Sequence, residues 1–434
     1  MFILQNLLLL IGFVVISIAT ATSDQDQCDA KLVETIPDGV TFEQHLGIKT
    51  IHSAFLDMIH GSKKSIQIAS FYWTLFCNDT QHSIPTSCKK GEEVMQALND
   101  ALNAGVSVQI AFSGKTEDVD KNQDLQILRQ NGAQIVGVDF PRLIGAGILH
   151  TKFIITDNQT VFIGSANMDW RSLSEVKEMG IYIQNCPQIA TDLEKIFQVY
   201  WILGQSGSEI PTKWPDYLST TYNMANPMKI NLSGIQTKLY ISNSPPELNP
   251  SGRTNDIDAL TKVISSAESF VDIEVMDYSP MFLYSNISYW PKIDDILRST
   301  VFKKYIDINF LGGHWRYSRK NMIIALRSLN KLRKIKGGGS IEVKLMKIPA
   351  TEAQAKVEFS RVNHCKFIVT DNTLFIGTSN WSPDYFVTTG GVSFIMTLDS
   401  SRSNKNGDVD LRTLLQQAHE RDWHSQYSTA IRDD

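Results

Sequence analysis

The sequence has little cysteine. There are five, and no two stand at C-x-x-C spacing, which argues against a zinc ribbon or a dithiol redox centre. Nor does any acidic cluster or His-Cys set suggest an intrinsic metal, and no cofactor is expected. A long apolar run is also lacking. The longest, Leu7 to Ile18, is short for a bilayer span of about 20 residues. Charge of one sign is missing too. Lys and Arg number 41 against 46 Asp and Glu, for a net charge of −5. This argues against a chromatin-type protein and leaves room only for a local basic groove. Low-complexity tracts are absent, and a hydrophobic content of 42% is that of an ordinary folded chain. At 434 residues the chain suits two domains or one duplicated domain.

The N-terminus carries an address. The apolar run is followed by Ala19-Thr20-Ala21, an A-x-A cleavage pattern, although no Lys or Arg precedes it. Residues 1–21 are therefore read as a signal peptide, or as a signal anchor if uncleaved. Sequons at Asn78, Asn158, Asn231 and Asn286 fit a lumenal chain as glycosylation sites. A fifth, Asn380, lies in a motif and is expected to stay unmodified. In an oxidising lumen Cys77 and Cys88 can close a Pro85-containing loop, and Cys28 and Cys186 can then form a long-range staple. Sequence alone leaves that connectivity open.

What the chain does contain is one phrase written twice. HTKFIITDNQTVFIGSANMDW begins at His150, and HCKFIVTDNTLFIGTSNW begins at His364. With one gap at Gln159, twelve of the first seventeen paired positions are identical. The duplication extends upstream. SIQIASFYW, VSVQIAF and QIVGVDF precede the first phrase, with helical stretches between them; SFVDIEVMDY, IDINFLGG and IEVKLMKIPA precede the second. Short β-branched runs predict strands, and the spacing of Val94, Leu98, Ala101 and Leu102 predicts a helix. Gly105 and Gly132 stand where helices should stop. CPQIATDLEKIFQVYWILG and VDLRTLLQQAHERDW predict a closing helix for each half. The fold class is α/β: two tandem, pseudo-symmetric α/β/α halves with mostly parallel sheets. The halves are placed at 22–203 and 256–434. The Ser, Pro and Asn-rich stretch 204–255 is read as linker and surface loops.

On a strand, residues i and i+2 share a face. His150 and Lys152 therefore point one way, as do His364 and Lys366, while Thr151 and Cys365 face away. Ser165 and Asn167 share the same spacing on the next strand, beside Gly164. Each half thus offers an imidazole, a fixed cation, a hydroxyl and an amide. That set suits a tetrahedral phosphate: one imidazole attacks phosphorus, the other protonates the leaving oxygen, and Lys and Asn stabilise the added charge. A lone H-x-K on a strand is usually surface decoration. Two intact copies amid diverged flanks are not.

H-x-K-x4-D followed by G-S/T-x-N, twice in one chain, resembles the phospholipase D superfamily over nearly the whole length after the signal. ASFYWT, GSANMDWRS, VKEMG, VNHCKF and GTSNWS are similar to its lumenal, lysosomal branch, whose members act as 5′ exonucleases on single-stranded DNA and RNA. The resemblance implies the phospholipase D fold, a phosphohistidine on His150, and His364 as general acid. It implies that Lys152, Lys366, Asn167 and Asn380 hold the phosphate. Asp157 and Asp371 complete the catalytic motifs, but their odd spacing from the histidines makes them scaffold braces. In the family a carboxylate eleven residues past the motif Asn orients the first histidine, which here assigns Glu178 to His150. Gly391 occupies the equivalent place in the second half, and Thr388 stands where this branch carries a Glu, so His364 is left without a partner. Hydrolysis is expected to need no metal. No partner protein is required either, because the duplication supplies both halves of the site.

Two substrate classes remain: single-stranded nucleic acid in an acidic lumen, or a phospholipid such as phosphatidylcholine, hydrolysed or transferred to another alcohol. A non-enzymatic binding protein is disfavoured by the intact motifs. Phe71, Tyr72 and Trp73 are candidates for stacking on a base, with core packing the commoner fate of such rings.

Overall fold

The repeated phrase becomes a β-hairpin in each half. In the computed structural model, Phe153–Thr156 and Thr160–Gly164 pair antiparallel, Phe153 opposite Ile163. Lys366–Thr370 and Thr373–Gly377 do the same, Phe367 opposite Ile376. The alignment gap at Gln159 is a difference in hairpin loop. Asp157, Asn158 and Gln159 join the first pair of strands; Asp371 and Asn372 join the second. The structure describes residues 27–284, 288–398 and 410–432. The expected signal segment 1–21 and the sequon Asn286 lie outside them.

Around each hairpin the sheet has one order. In the first half it runs Gln134–Val138, Ser107–Ser113, Ser65–Ser70, the two hairpin strands, Glu178–Gln184 and Gln27–Thr35. In the second it runs Ile341–Met346, Asp307–Gly313, Phe270–Val275, the hairpin, Gly391–Leu398 and Ile235–Ser244. The α/β class and the duplicated layout stand. The first three strands of each half pair in parallel through helical crossovers, as their spacing requires. The hairpin and the two strands after it in this order extend each sheet antiparallel.

This order corrects the reading of 204–255. Ile235–Ser244 is a strand with eight residue pairs to Gly391–Leu398, in the place Gln27–Thr35 takes in the first half. Met228–Leu232 pairs beside it. The latter part of the segment is therefore sheet, and the second unit begins before residue 256. Its Ser and Asn content concealed the alternation of Leu239 and Ile241, both buried, with more polar neighbours.

Strand alternation also builds the contact between halves. Phe153 and Ile155 join a core shared with Phe367 and Val369, whereas Ile154 and Ile368 point into the separate outer cores of their own halves. The closing helices, Pro187–Leu203 and Leu411–His424, add Phe197, Leu415 and Ala418 to the shared core. Each large apolar side chain so buried contributes about 1.5–3 kcal/mol. Buried ion pairs cross the same boundary: Lys177 meets Asp422 at 2.6 Å and Glu274 at 2.9 Å, and Arg421 meets Glu34 at 2.7 Å. Removing one member of such a pair strands a charge, so they fix the registry of the halves.

Cys28–Cys186 and Cys77–Cys88 are disulfide-bonded, and Cys365 is a buried free thiol in the shared core. Asn78 and Asn158 are exposed sequons. Asn231 is half-buried within a strand with its amide oxygen covered, which disfavours a glycan there. Among the described residues no helix is long and apolar enough to cross a membrane.

Asp157 and Asp371 are far from any reacting atom by their bonding. The Asp157 carboxylate accepts from the main-chain N–H of Lys63, Lys64 and Ser65 at 2.7–2.8 Å, where strand Ser65–Ser70 begins. Asp371 accepts from Glu268 and Ser269 before the matching strand. Burial pushes the Asp157 carboxyl up, but the three amides outweigh it and hold it below its usual value. Its stabilisation is therefore complete above the ordinary carboxylate range and is lost only as pH falls through the depressed value. Asp157→Ala is expected to cost about 1–2 kcal/mol, lowering the melting temperature by about 2–4 °C at pH 5 and at pH 7 alike. Thermal melts read by circular dichroism check this; an unchanged midpoint would remove the brace.

Candidate active site

Each histidine hangs from the opposite half. The His150 N–H donates to the Gly390 carbonyl at 2.8 Å, and the His364 N–H donates to the Lys177 carbonyl at 2.8 Å. Main-chain pairing of this kind sets what comes next. The residue after Lys177 is Glu178, so its carboxylate is delivered to His364: Oε2 lies 2.8 Å from Nδ1. The residue after Gly390 is Gly391, which delivers nothing to His150. The expectation that Glu178 orients His150 is thereby corrected. Offsets counted within one half cannot reveal a partner that the twofold arrangement exchanges between halves. His150 is the histidine without a carboxylate, and its Nδ1 is buried with no hydrogen-bond partner among the described residues. A Cβ at position 391 would come within 2.1 Å of Ser379 Oγ and 2.9 Å of Ser244 Oγ, so the place is closed to a side chain unless they move.

The His150 ring is held by aromatic contacts instead. Tyr385 meets it edge-on with centroids 4.9 Å apart, and Phe71 lies tilted at 5.4 Å. Glu178, 0% exposed, is further fixed by the Ser172 hydroxyl, which donates to Oε1 at 2.8 Å.

Both histidines and both motif asparagines line one cavity of about 590 Å³. The lysines lie just behind. Lys366 donates to the His364 carbonyl at 2.6 Å, and Lys152 donates to the His150 carbonyl in the same way. The asparagines repeat one motif. Asn167 Nδ2 donates to the Tyr72 hydroxyl at 3.4 Å and Asn380 Nδ2 to the Tyr385 hydroxyl at 3.2 Å; both amide oxygens are buried without a partner among the described residues.

The electrostatics suit an anion. Burial pulls Lys366 down to about 8, and Lys152 is pushed well below its usual value by burial and then by Lys366. Burial takes His364 down to about 4 against the opposing pull of Glu178. His150 falls well below the usual imidazole range through burial and the charges of Lys152 and Lys366. Burial raises Glu178, but His364 and Lys366 outweigh it and keep the carboxylate ionised. A phosphodiester entering this cavity would supply the missing negative charge and raise all four cationic groups.

Among the aromatic candidates, Phe71 and Tyr72 line the cavity, and Tyr72 donates to Asp169 Oδ2 at 2.7 Å. Trp73 is core, 1% exposed. Sequence reasoning missed Tyr284, Tyr317, Arg319, Phe359 and Tyr385, which complete the wall. Only the closeness of Phe359 to His364 and of Tyr385 to Asn380 was there to be read.

A duplicated α/β scaffold that brings two histidines and two asparagines to one cavity, with two lysines just behind, defines a phosphodiester hydrolase with its site between the halves. A family model described as PLD3/4, PLD-like domain matches residues 44–351. The chain is 44% identical over 405 residues to a human protein named 5'-3' exonuclease PLD3, covering 93% of this chain and 81% of that one. It is 38% identical over 409 residues to a Caenorhabditis elegans protein named probable phospholipase D F09G2.8, covering 92% and 70%. Its fold is similar to the crystal structure of phosphatidylserine synthase from Haemophilus influenzae, with a TM-score of 0.54 at 11% identity over 88% and 85% of the two chains. The chain belongs to the phospholipase D superfamily, within the PLD3/4 group.

Proposed function

We propose that this protein is a 5′–3′ exonuclease on single-stranded nucleic acid, acting in an acidic, oxidising lumen. His150 attacks phosphorus and becomes phosphohistidine; His364 protonates the departing 5′ oxygen. The assignment of roles rests on the unequal histidines. The nucleophile must be neutral, and His150, with two ammonium groups nearby and no carboxylate, resists protonation most. The acid must carry a proton, and Glu178 stabilises that form of His364. In the second step His364 takes a proton from water, which attacks phosphorus and frees His150. Lys152, Lys366, Asn167 and Asn380 steady the non-bridging oxygens. The disulfides suit an oxidising compartment.

One observation carries the choice of substrate. The cavity mouth is flanked by aromatic rings with guanidinium groups over them: Arg319 lies 4.9 Å from the Tyr284 ring centroid and Arg316 lies 5.1 Å from that of Tyr317. Rings paired with cations suit bases and phosphates better than acyl chains. The relatives named as exonucleases support the same choice. The test is mature protein at pH 5 in EDTA, given a 5′-hydroxyl single-stranded oligonucleotide or phosphatidylcholine vesicles, with His150→Ala beside each. Stepwise shortening from the 5′ end that is lost in the variant is expected. Choline release without shortening would make the protein a lipid hydrolase.

A further inference from the structure

The two sides of the cavity are unlike. On the first-half side, Asp169 and Asp79 hold Arg171 in ion pairs of 3.1 and 2.6 Å, a wall of mutually paired charges. On the other side Phe359 stands 57% exposed, an unusual fate for a phenylalanine at a cavity. Its backbone is left-handed, with φ of 55°, a conformation unfavourable for a bulky side chain, and Arg361 shares it at 55°. Such strain persists only where surrounding contacts impose it. Here they do. The buried Arg361 guanidinium bonds Glu175 at 2.9 Å and the Asp38 carbonyl at 3.0 Å, and the Arg361 N–H donates to the Glu175 carbonyl at 3.0 Å.

The strained loop presents the Phe359 ring as the open end of a stack. Tyr317 lies against it with centroids 5.1 Å apart and planes 22° from parallel, and Arg316 covers Tyr317. We infer that Phe359, backed by Tyr317 and Arg316, is the stacking site for the first unpaired base of the departing strand. This rests on the exonuclease reading above. In an in-line displacement the leaving oxygen lies opposite the nucleophile. As the His150 nitrogen–phosphorus bond forms, the phosphorus–O5′ bond breaks and the His364 proton passes to O5′. The strand that owns O5′ therefore lies on the His364 side, and Phe359 is on the segment leading into His364. The terminal nucleoside is left to the first-half side. Only an unpaired base presents a free face to the ring, so the shelf also favours single strands.

The test pairs a protein change with a substrate change. Steady-state kinetics compare a 5′-hydroxyl octanucleotide with the same strand made abasic at its second residue, using wild type, Phe359→Ala and Phe359→Trp. In the wild type, loss of the base is expected to raise KM about tenfold. Phe359→Ala raises KM by a similar factor on the intact strand, and the abasic change then adds little. Phe359→Trp restores the wild-type pattern, which separates stacking from folding. An abasic penalty that is absent in wild type, or undiminished in Phe359→Ala, overturns the shelf. Failure of wild type to shorten any oligonucleotide would instead overturn the exonuclease reading.

Discussion

The His364→Ala protein, mixed with thymidine 3′-(p-nitrophenyl phosphate), is expected to release one equivalent of nitrophenolate per site and then nearly stop. Nitrophenolate leaves without a proton, so the first step no longer needs the acid. His150 still forms its bond to phosphorus. The second step does need His364, because water must lose a proton as it attacks and His364 is the group assigned to take it. Steady turnover should fall by about 10³-fold, within the usual reach of general acid–base catalysis. Intact-mass measurement after acid-free quenching should find one nucleotide adduct, and peptide mapping should put it on His150. The His150→Ala protein should give neither burst nor adduct. An adduct on His364 in that variant would exchange the two roles. Loss of both burst and adduct in a folded His364→Ala protein would mean that His364 also shapes the site for attack.

Much of this arrangement was legible in the sequence because the same physics wrote it twice. The H-x-K spacing appears at His150 and at His364, and in each half it leads into the first hairpin strand. Short β-branched apolar runs predicted the hairpin strands and the parallel ones alike. Other features were hidden for definite reasons. The strand Ile235–Ser244 is poor in bulky residues toward its end, where Ser242, Asn243 and Ser244 pair with Ser393, Val392 and Gly391, so its composition resembles a loop. The pairing of Glu178 with His364 depends on a main-chain bond between halves, from His364 to Lys177, which no offset within one half encodes. Phe359 is ordinary in sequence. Only the left-handed backbone and the Arg361 anchor make it a presented ring.

The exchanged carboxylate has its own measurable consequence in pH dependence. Glu178 raises His364 against burial, and with both acting the imidazole sits at about 4. The reaction needs His364 protonated, so kcat/KM falls as pH rises through the His364 value. It needs His150 neutral, so kcat/KM falls again in stronger acid, where His150, held well below the usual range, finally gains its proton. The profile is therefore a bell displaced to the acid side of neutrality. Glu178→Gln keeps the volume of the side chain while removing the charge. Without that charge the His364 imidazolium is less stable, its pKa drops, and the descending limb moves to lower pH by about one unit, equivalent to about 1.4 kcal/mol. The rate at the optimum should also fall by about 10²-fold, because the imidazole loses the anion that fixed its tautomer and orientation. The ascending limb belongs to His150 and should move little, since Glu178 bonds the other histidine. Full profiles for both proteins with the thymidine ester decide the matter. Movement of the descending limb alone assigns the carboxylate to His364 in solution. Movement of the ascending limb would return Glu178 to His150, and a lower rate with both limbs fixed would reduce Glu178 to packing.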